Sequence, residues 1–238
     1  MSKYKALLFD LDDTLLDFKK GELCAVKAMF EKYNIAYTKE NIDKYRDANL
    51  KGWHNLELGK ATKDEILVNR FKEFFESINL QIEDGFDVVN KYFLDYLSHE
   101  SYLVEGALDV LKELKKNNYK IFLISNGIKY VQMGRLNKQQ EMCEYLDKIY
   151  LSDDLGIVKP DKRFIDFILN DNKDLKREDL IIIGDSLTSD VKLGVNTNID
   201  TILVLNGYIN YNLNKNTKTY DKPTYIVYNL YDVLNLLK

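Results

Sequence analysis

Acidic and hydroxyl residues stand at the ends of three short apolar runs. Ala6-Leu7-Leu8-Phe9 ends at Asp10, Ile121-Phe122-Leu123-Ile124 at Ser125, and Leu180-Ile181-Ile182-Ile183-Gly184 at Asp185. Asp12, Asp13 and Thr14 follow the first run, and Asp190 follows the third. Runs this short, rich in β-branched and aromatic residues, read as buried strands of a parallel sheet. Polar groups at the carboxyl ends of such strands sit where open α/β sheets place their ligands. Carboxylates gathered on one sheet edge repel each other unless a cation lies among them. The pattern therefore points to a metal-dependent site.

The elements that must position these residues can be traced along the chain. After the first strand, Leu15 to about Phe18 is expected to leave the sheet as a loop. From Gly21 to about Ser98 the pattern is helical. Ala25, Ala28, Met29 and Tyr33 share one face, as do Ile66, Leu67, Phe71, Phe74 and Phe75, with Thr38, Thr62 and Asp84 as expected N-caps. From about Tyr102 helix and strand alternate. Helices are expected over Val104–Asn118, Ile128–Glu144, Lys162–Asn170 and Thr188–Asn196; strands over Lys120–Ser125, Lys148–Leu151, Leu180–Gly184 and Thr201–Leu205. This order indicates βαβ units, a parallel sheet and right-handed crossovers. Tyr208–Lys222 reads as a polar loop, followed by an edge strand, Thr224–Tyr228, and a closing helix, Tyr231–Leu237.

The totals narrow the function classes. A chain of 238 residues suits one large α/β domain or a core with a smaller insertion, and 45% apolar residues supply a substantial core. A formal charge of -4 argues against nucleic-acid polymers as partners, which are held by neutralising phosphates with Lys and Arg. It leaves room for a small anionic substrate, because a metal and local cations set the potential inside a cleft. Two cysteines, Cys24 and Cys143, are too few for a disulfide framework and read as buried small hydrophobes in a reducing compartment. No segment reaches the apolar length of a membrane span. A cytoplasmic enzyme with no membrane partner is the expectation, as a monomer or homodimer.

At these residues the chain resembles the haloacid dehalogenase superfamily of phosphohydrolases, whose four motifs appear in order. DxDxT is Asp10-Leu11-Asp12-Asp13-Thr14, the second motif is Ser125 in Ser125-Asn126-Gly127, the third is Lys159 in Val158-Lys159-Pro160-Asp161, and the fourth is Asp185 with Asp190 in GDxxxxD spacing. The resemblance covers about residues 3–20 and 100–207. It implies an α/β fold with a Rossmann-like parallel-sheet core in three αβα layers, formed by residues 1–17 and 101–238, and an inserted α-helical bundle cap over 18–100. Hinges are expected near Leu16–Lys20 and Ser98–Tyr102.

The resemblance also assigns the chemistry. Phosphate monoesters hydrolyse extremely slowly unaided, and a carboxylate nucleophile splits the step in two. Asp10 is the expected nucleophile, forming an aspartyl-phosphate. Asp12 is the expected general acid, then base on the attacking water. Ser125, Asn126 and neighbouring N–H groups would hold phosphate oxygens, and Lys159 would offset developing charge and orient Asp10. Mg²⁺, or alternatively Mn²⁺, would be held by Asp10 and Asp185, by the main-chain carbonyl of Asp12, and by Asp190 directly or through water.

Each residue also has a plainer role open to it. Asp12 and Asp13 favour turns, Ser125 is a good helix N-cap, Lys159 could be a solvated lysine, and Asp190 could face water from a helix. Asp153 and Asp154 read as solvated, and His54 and His99 as structural. Within the insertion, Gly52-Trp53-His54, Gly59 and Arg70-Phe71 resemble the cap of the branch containing pyrimidine 5′-nucleotidases, and Asn206-Gly207 stands where that branch often carries an Asn near the active site. Trp53 could stack on a base and Arg70 pair with an anionic or polar group; alternatively Trp53 belongs to the bundle core and Arg70 is an exposed helix residue.

The expected activity is thus hydrolysis of a small phosphorylated metabolite, foremost a nucleoside 5′-monophosphate with pyrimidine preference. The same motifs serve phosphatases of sugar phosphates or phosphoglycolate, and phosphomutases, in which net phosphate release gives way to isomerisation. A dehalogenase needs no acid at Asp12.

Overall fold

The computed structural model describes residues 3–206 and 222–237. Of these, the residues up to Phe18 and from Ser101 onward form one compact unit, and Lys19–Glu100 a second. The expected loop at Tyr208–Lys222 lies outside the described residues except for Lys222, as does Gly207.

Strand β1 (Ala6–Phe9) opens the chain and is wholly buried. Helices α1 (Phe18–Lys32), α2 (Lys39–Glu57), α3 (Lys63–Ser77) and α4 (Phe86–Leu97) follow. Apolar residues at helical spacing build the interior of the second unit: Ala25, Met29 and Phe30 of α1, Tyr45 of α2, Phe71, Phe74 and Phe75 of α3, and Phe93 of α4 are all buried. The rings of Phe30 and Phe74 stack with centroids 5.4 Å apart, and Phe71 meets Phe93 edge-on at 5.4 Å. Thr38 and Thr62 cap α2 and α3, and Thr62 completes a capping box with Glu65. The expected cap at Asp84 is corrected to Gly85, which offers no side chain. Asp84 instead accepts a 2.8 Å hydrogen bond from the Tyr33 hydroxyl.

The first unit continues with α5 (Ala107–Lys116), β2 (Lys120–Ser125), α6 (Lys129–Asn137), α7 (Gln140–Cys143), β3 (Lys148–Leu151), α8 (Ser152–Leu155), α9 (Arg163–Asp171), β4 (Leu180–Gly184), α10 (Lys192–Thr197), β5 (Asp200–Val204), β6 (Tyr225–Val227) and α11 (Tyr231–Leu236). The strands form one parallel sheet in the order β3-β2-β1-β4-β5-β6. Alternation along each strand feeds two cores. Leu7, Phe9, Ile121, Leu123, Ile181 and Ile183 pack with α5 and α11 on one face. Ala6, Leu8, Phe122, Ile124 and Ile182 pack with Phe164, Ile165 and Ile168 of α9 on the other. This is the Rossmann-like three-layer arrangement expected for the family fold.

Two expected helices are broken. Ile128–Glu144 is two helices, because Gln139 leaves the helical region with φ -117° and ψ 50°. Thr188–Asn196 begins instead as a π-helical turn, Leu187–Val191, before α10. Such a turn inserts an extra residue and re-aims its side chains, and this one carries Asp190. The helix expected from Val104 starts at Ala107, after Gly106 at φ 82°.

Candidate active site

β1 lies between β2 and β4, with Phe9 in register with both Leu123 and Ile183. Consecutive strands lie to opposite sides of this point, which is where a doubly wound sheet opens a crevice at its carboxyl edge. Asp10 continues the ladder by one residue, its N–H donating to Ile183 O at 2.9 Å. Its side chain is then delivered into that crevice, 7% exposed.

Lys159 reaches the same place from the segment before α9. Its ammonium donates to Asp10 Oδ1 at 2.6 Å, to Asp190 Oδ1 at 2.7 Å and to Ile124 O at 3.1 Å. All three of its donors are thereby engaged, and the residue is 1% exposed. It is not a solvated lysine. Its backbone is clasped by the Asn126 side chain, which accepts from Lys159 N–H at 2.7 Å and donates to Lys159 O at 2.8 Å. The Asn126 amide is therefore directed to holding Lys159.

Asp190 is buried too, and its Oδ2 accepts from Ser186 N–H at 3.2 Å; it does not face water. Gly184 makes this approach sterically feasible, since a Cβ there would lie 2.1 Å from Asp190 Oδ2. Asp10, Asp185 and Asp190 bring carboxylate oxygens within 4.8 Å of one another. Three hard oxygen donors around one point fit a divalent cation such as Mg²⁺. Burial above all pushes the Asp10 carboxyl up to about 8, and repulsion from Asp190 and Asp12 adds to it against the pull of Lys159. Burial disfavours the Lys159 ammonium, but Asp10 and Asp190 outweigh it and hold its pKa above the ordinary lysine value.

Asp12 and Ser125 meet through α6. Gln132 Nε2 donates to Asp12 Oδ2 at 2.6 Å and to Ser125 Oγ at 2.9 Å. Arg135 Nη1 donates to Asp12 Oδ1, and to Gln132 Oε1 at 2.9 Å. Ser125 Oγ also accepts from Gly127 N–H at 3.0 Å, which leaves its own O–H to donate. The N-cap of α6 is Ile128, so Ser125 is not capping that helix. Asp13 sits at φ 55° in a tight turn, and its carbonyl accepts from Asn206 Nδ2 at 2.6 Å. Asp153 and Asp154 are exposed, as expected for solvated residues; Asp153 accepts from Lys129 N–H at 2.7 Å at the start of α6, and Asp154 pairs with the Lys129 ammonium.

The two expected insertion residues lie in the second unit. Trp53 is half-buried on α2. Arg70 on α3 is 4% exposed, not the exposed helix residue of the alternative reading. Its Nη1 and Nη2 donate to Asn49 and Asn90, each at 2.9 Å, and its guanidinium lies over the Phe71 and Phe93 rings. His54 and His99 are exposed. Cys24 and Cys143 are half-buried rather than buried.

Gln132 and Arg135 were not singled out from the sequence. They are three residues apart on α6, on the same side as buried Val131 and Leu136. Polar residues at core-facing positions were the available signal.

Residues 7–204 match the haloacid dehalogenase-like hydrolase family. The chain belongs to the haloacid dehalogenase-like hydrolases. It is 35% identical over 234 residues to the pyrimidine 5′-nucleotidase PynA of Streptococcus pneumoniae, spanning 98% of this chain and 95% of PynA. It is 27% identical over 199 residues to the pyrimidine 5′-nucleotidase YjjG of Escherichia coli, spanning 84% of this chain and 85% of YjjG. A crystal structure of the HAD-hydrolase YfnB of Bacillus subtilis, bound to magnesium and revealing interdomain movement, superimposes with a TM-score of 0.86 at 28% identity over 99% of both chains. Other phosphatases of the family match at lower identity. This haloacid dehalogenase-like chain is accordingly a phosphohydrolase with the family's Rossmann-like sheet. Among the described residues no helix is long and apolar enough to cross a membrane.

Proposed function

We propose that this phosphohydrolase acts on nucleoside 5′-monophosphates with pyrimidine preference, releasing phosphate through an aspartyl-phosphate at Asp10. The observation carrying this reading is likeness to PynA along nearly the whole of both chains, insertion included. The YfnB structure, bound to magnesium, and the donor set of Asp10, Asp185 and Asp190 support Mg²⁺ as the cofactor, with Mn²⁺ as the alternative. When bound, the cation supplies charge neutralisation between the carboxylate and the phosphoryl oxygens.

The chain's own residues account for the rest. Lys159 fixes one oxygen of Asp10 and holds a buried positive charge beside the transferring group. Asp10 forms its bond to phosphorus as the ester P–O bond breaks, and Asp12 gives its proton to the departing nucleoside oxygen. Asp12 then takes a proton from the water that attacks the same phosphorus. That attack breaks the Asp10 acyl-phosphate bond and restores both carboxyls. Ser125 donates its O–H to a phosphate oxygen. Trp53, half-buried on α2, is proposed to stack on the base; Arg70, buried and donating to Asn49 and Asn90, is engaged within the bundle rather than with substrate.

Phosphate release measured over nucleotides, sugar phosphates and phosphoglycolate with added Mg²⁺ tests this. Preference for pyrimidine monophosphates is expected. A strict preference for a sugar phosphate, or isomerisation without phosphate release, would overturn it.

A further inference from the structure

The Asp12 carboxyl is held at both of its oxygens by one face of α6, Oδ1 by Arg135 and Oδ2 by Gln132. The two donors are themselves joined, Arg135 Nη1 to Gln132 Oε1 at 2.9 Å. Arg135 is 0% and Gln132 1% exposed, so the pair forms a rigid, desolvated bracket. The bracket does not stop at Asp12. The same Gln132 Nε2 that donates to Asp12 also donates to Ser125 Oγ at 2.9 Å. Room for that carboxamide exists because residue 127 is glycine; a Cβ there would lie 2.0 Å from Gln132 Nε2. Arg135 is seated in turn by the Phe18 ring, 5.5 Å from its Cζ.

A buried arginine facing a carboxylate is costly to assemble and contributes little net stability, so geometric specificity is a reason to keep one. We propose that Gln132 and Arg135 are positioning residues for Asp12: they fix its carboxyl for proton transfer to the leaving oxygen, and Gln132 sets that orientation jointly with the hydroxyl of Ser125. This rests on the proposed acid role of Asp12. A carboxyl displaced by about 1 Å loses on the order of 100-fold in rate without any loss of binding contacts.

The test compares kcat/KM for uridine 5′-monophosphate, whose alkoxide leaving group needs a proton, with that for p-nitrophenyl phosphate, whose phenolate barely does. Because kcat/KM extends only to the first irreversible step, breakdown of the aspartyl-phosphate does not mask the effect. In Gln132→Met and Arg135→Lys the ratio of nucleotide to aryl activity is expected to fall at least tenfold, with KM for the nucleotide changing less than threefold. Gln132→Met preserves side-chain volume, so it carries the test if Arg135→Lys does not fold. Asp12→Asn is run alongside. If it lowers the ratio and the Gln132 and Arg135 variants do not, the bracket is overturned and the role of Asp12 stands. If Asp12→Asn itself leaves the ratio unchanged, Asp12 is not the acid and the bracket's function falls with it.

Discussion

The Lys159 ammonium lies 2.6 Å from Oδ1 of Asp10, with both residues buried at the carboxyl edge of β1. A second carboxylate, Asp190, shares the same ammonium at 2.7 Å. One ammonium thus bridges two carboxyl groups that would otherwise face each other in a poorly solvated crevice.

Lys159→Met should therefore damage both chemistry and stability. Loss of a preorganised charge beside the phosphoryl group is expected to lower kcat by about 10²–10³-fold. Leaving Asp10 and Asp190 without their shared partner is expected to cost about 3–5 kcal/mol of folding free energy. Steady-state kinetics normalised to folded protein, with thermal melts, check both. A variant with full activity would contradict the role given to Lys159.

The pH dependence of the metal-free protein follows from Asp10. Its carboxyl is pushed from 3.8 up to about 8, by burial first and then by Asp190 and Asp12. Between those values the folded chain keeps a proton that the unfolded chain has lost, so this residue's contribution to stability falls as pH rises. Asp10→Asn removes the titration. In EDTA, the melting temperature of Asp10→Asn relative to the unsubstituted chain should rise steadily from pH 5 to pH 8. A gap independent of pH would contradict this burial of Asp10.

Gly184→Ala places a methyl group 2.1 Å from the present position of Asp190 Oδ2. Asp190 must move, and with it one of the three clustered carboxylates that could hold a metal ion. Apparent Mg²⁺ affinity and kcat should each fall about 10–100-fold, read from activity titrated against Mg²⁺. Wild-type metal dependence would show that Asp190 has no part in cation binding.

Arg70→Met strips Asn49 and Asn90 of their donor inside the helical unit. Asn49 also donates to Glu22 at 2.8 Å, so a buried carboxylate loses its relay to the guanidinium. About 3 kcal/mol of stability should be lost, or roughly 6–12 °C in melting temperature. An unchanged melt would mean that this network is not cohesive.

The sheet and its motif residues were legible because each signal is local. Apolar runs such as Leu180–Ile183 have one reading when a turn residue follows at once, and Asp10, Ser125 and Asp185 each stand directly at a strand end. The π-helical turn around Asp190 was not legible, since the sequence Leu187–Val191 carries no Gly or Pro to mark an irregular helix. Nor was the end of α6, where Gln139 leaves the helix without a breaker. Gln132 and Arg135 were hidden because their partners, Asp12 and Ser125, are distant in sequence or on another element, and only the fold brings them together. Arg70 shows the reverse: its residue type suggested a ligand contact, while its surroundings engage it within the bundle.

The most direct test is to trap the phosphorylated chain. Acid quench of a single turnover with uridine 5′-monophosphate, followed by reduction with tritiated borohydride and peptide mapping, should place the tritium on the peptide containing Asp10, as the phosphate leaves. Reduction should convert residue 10 to homoserine. Full-rate phosphate release with no label on the protein, or label on any other residue, would contradict Asp10 as the group that receives the phosphoryl.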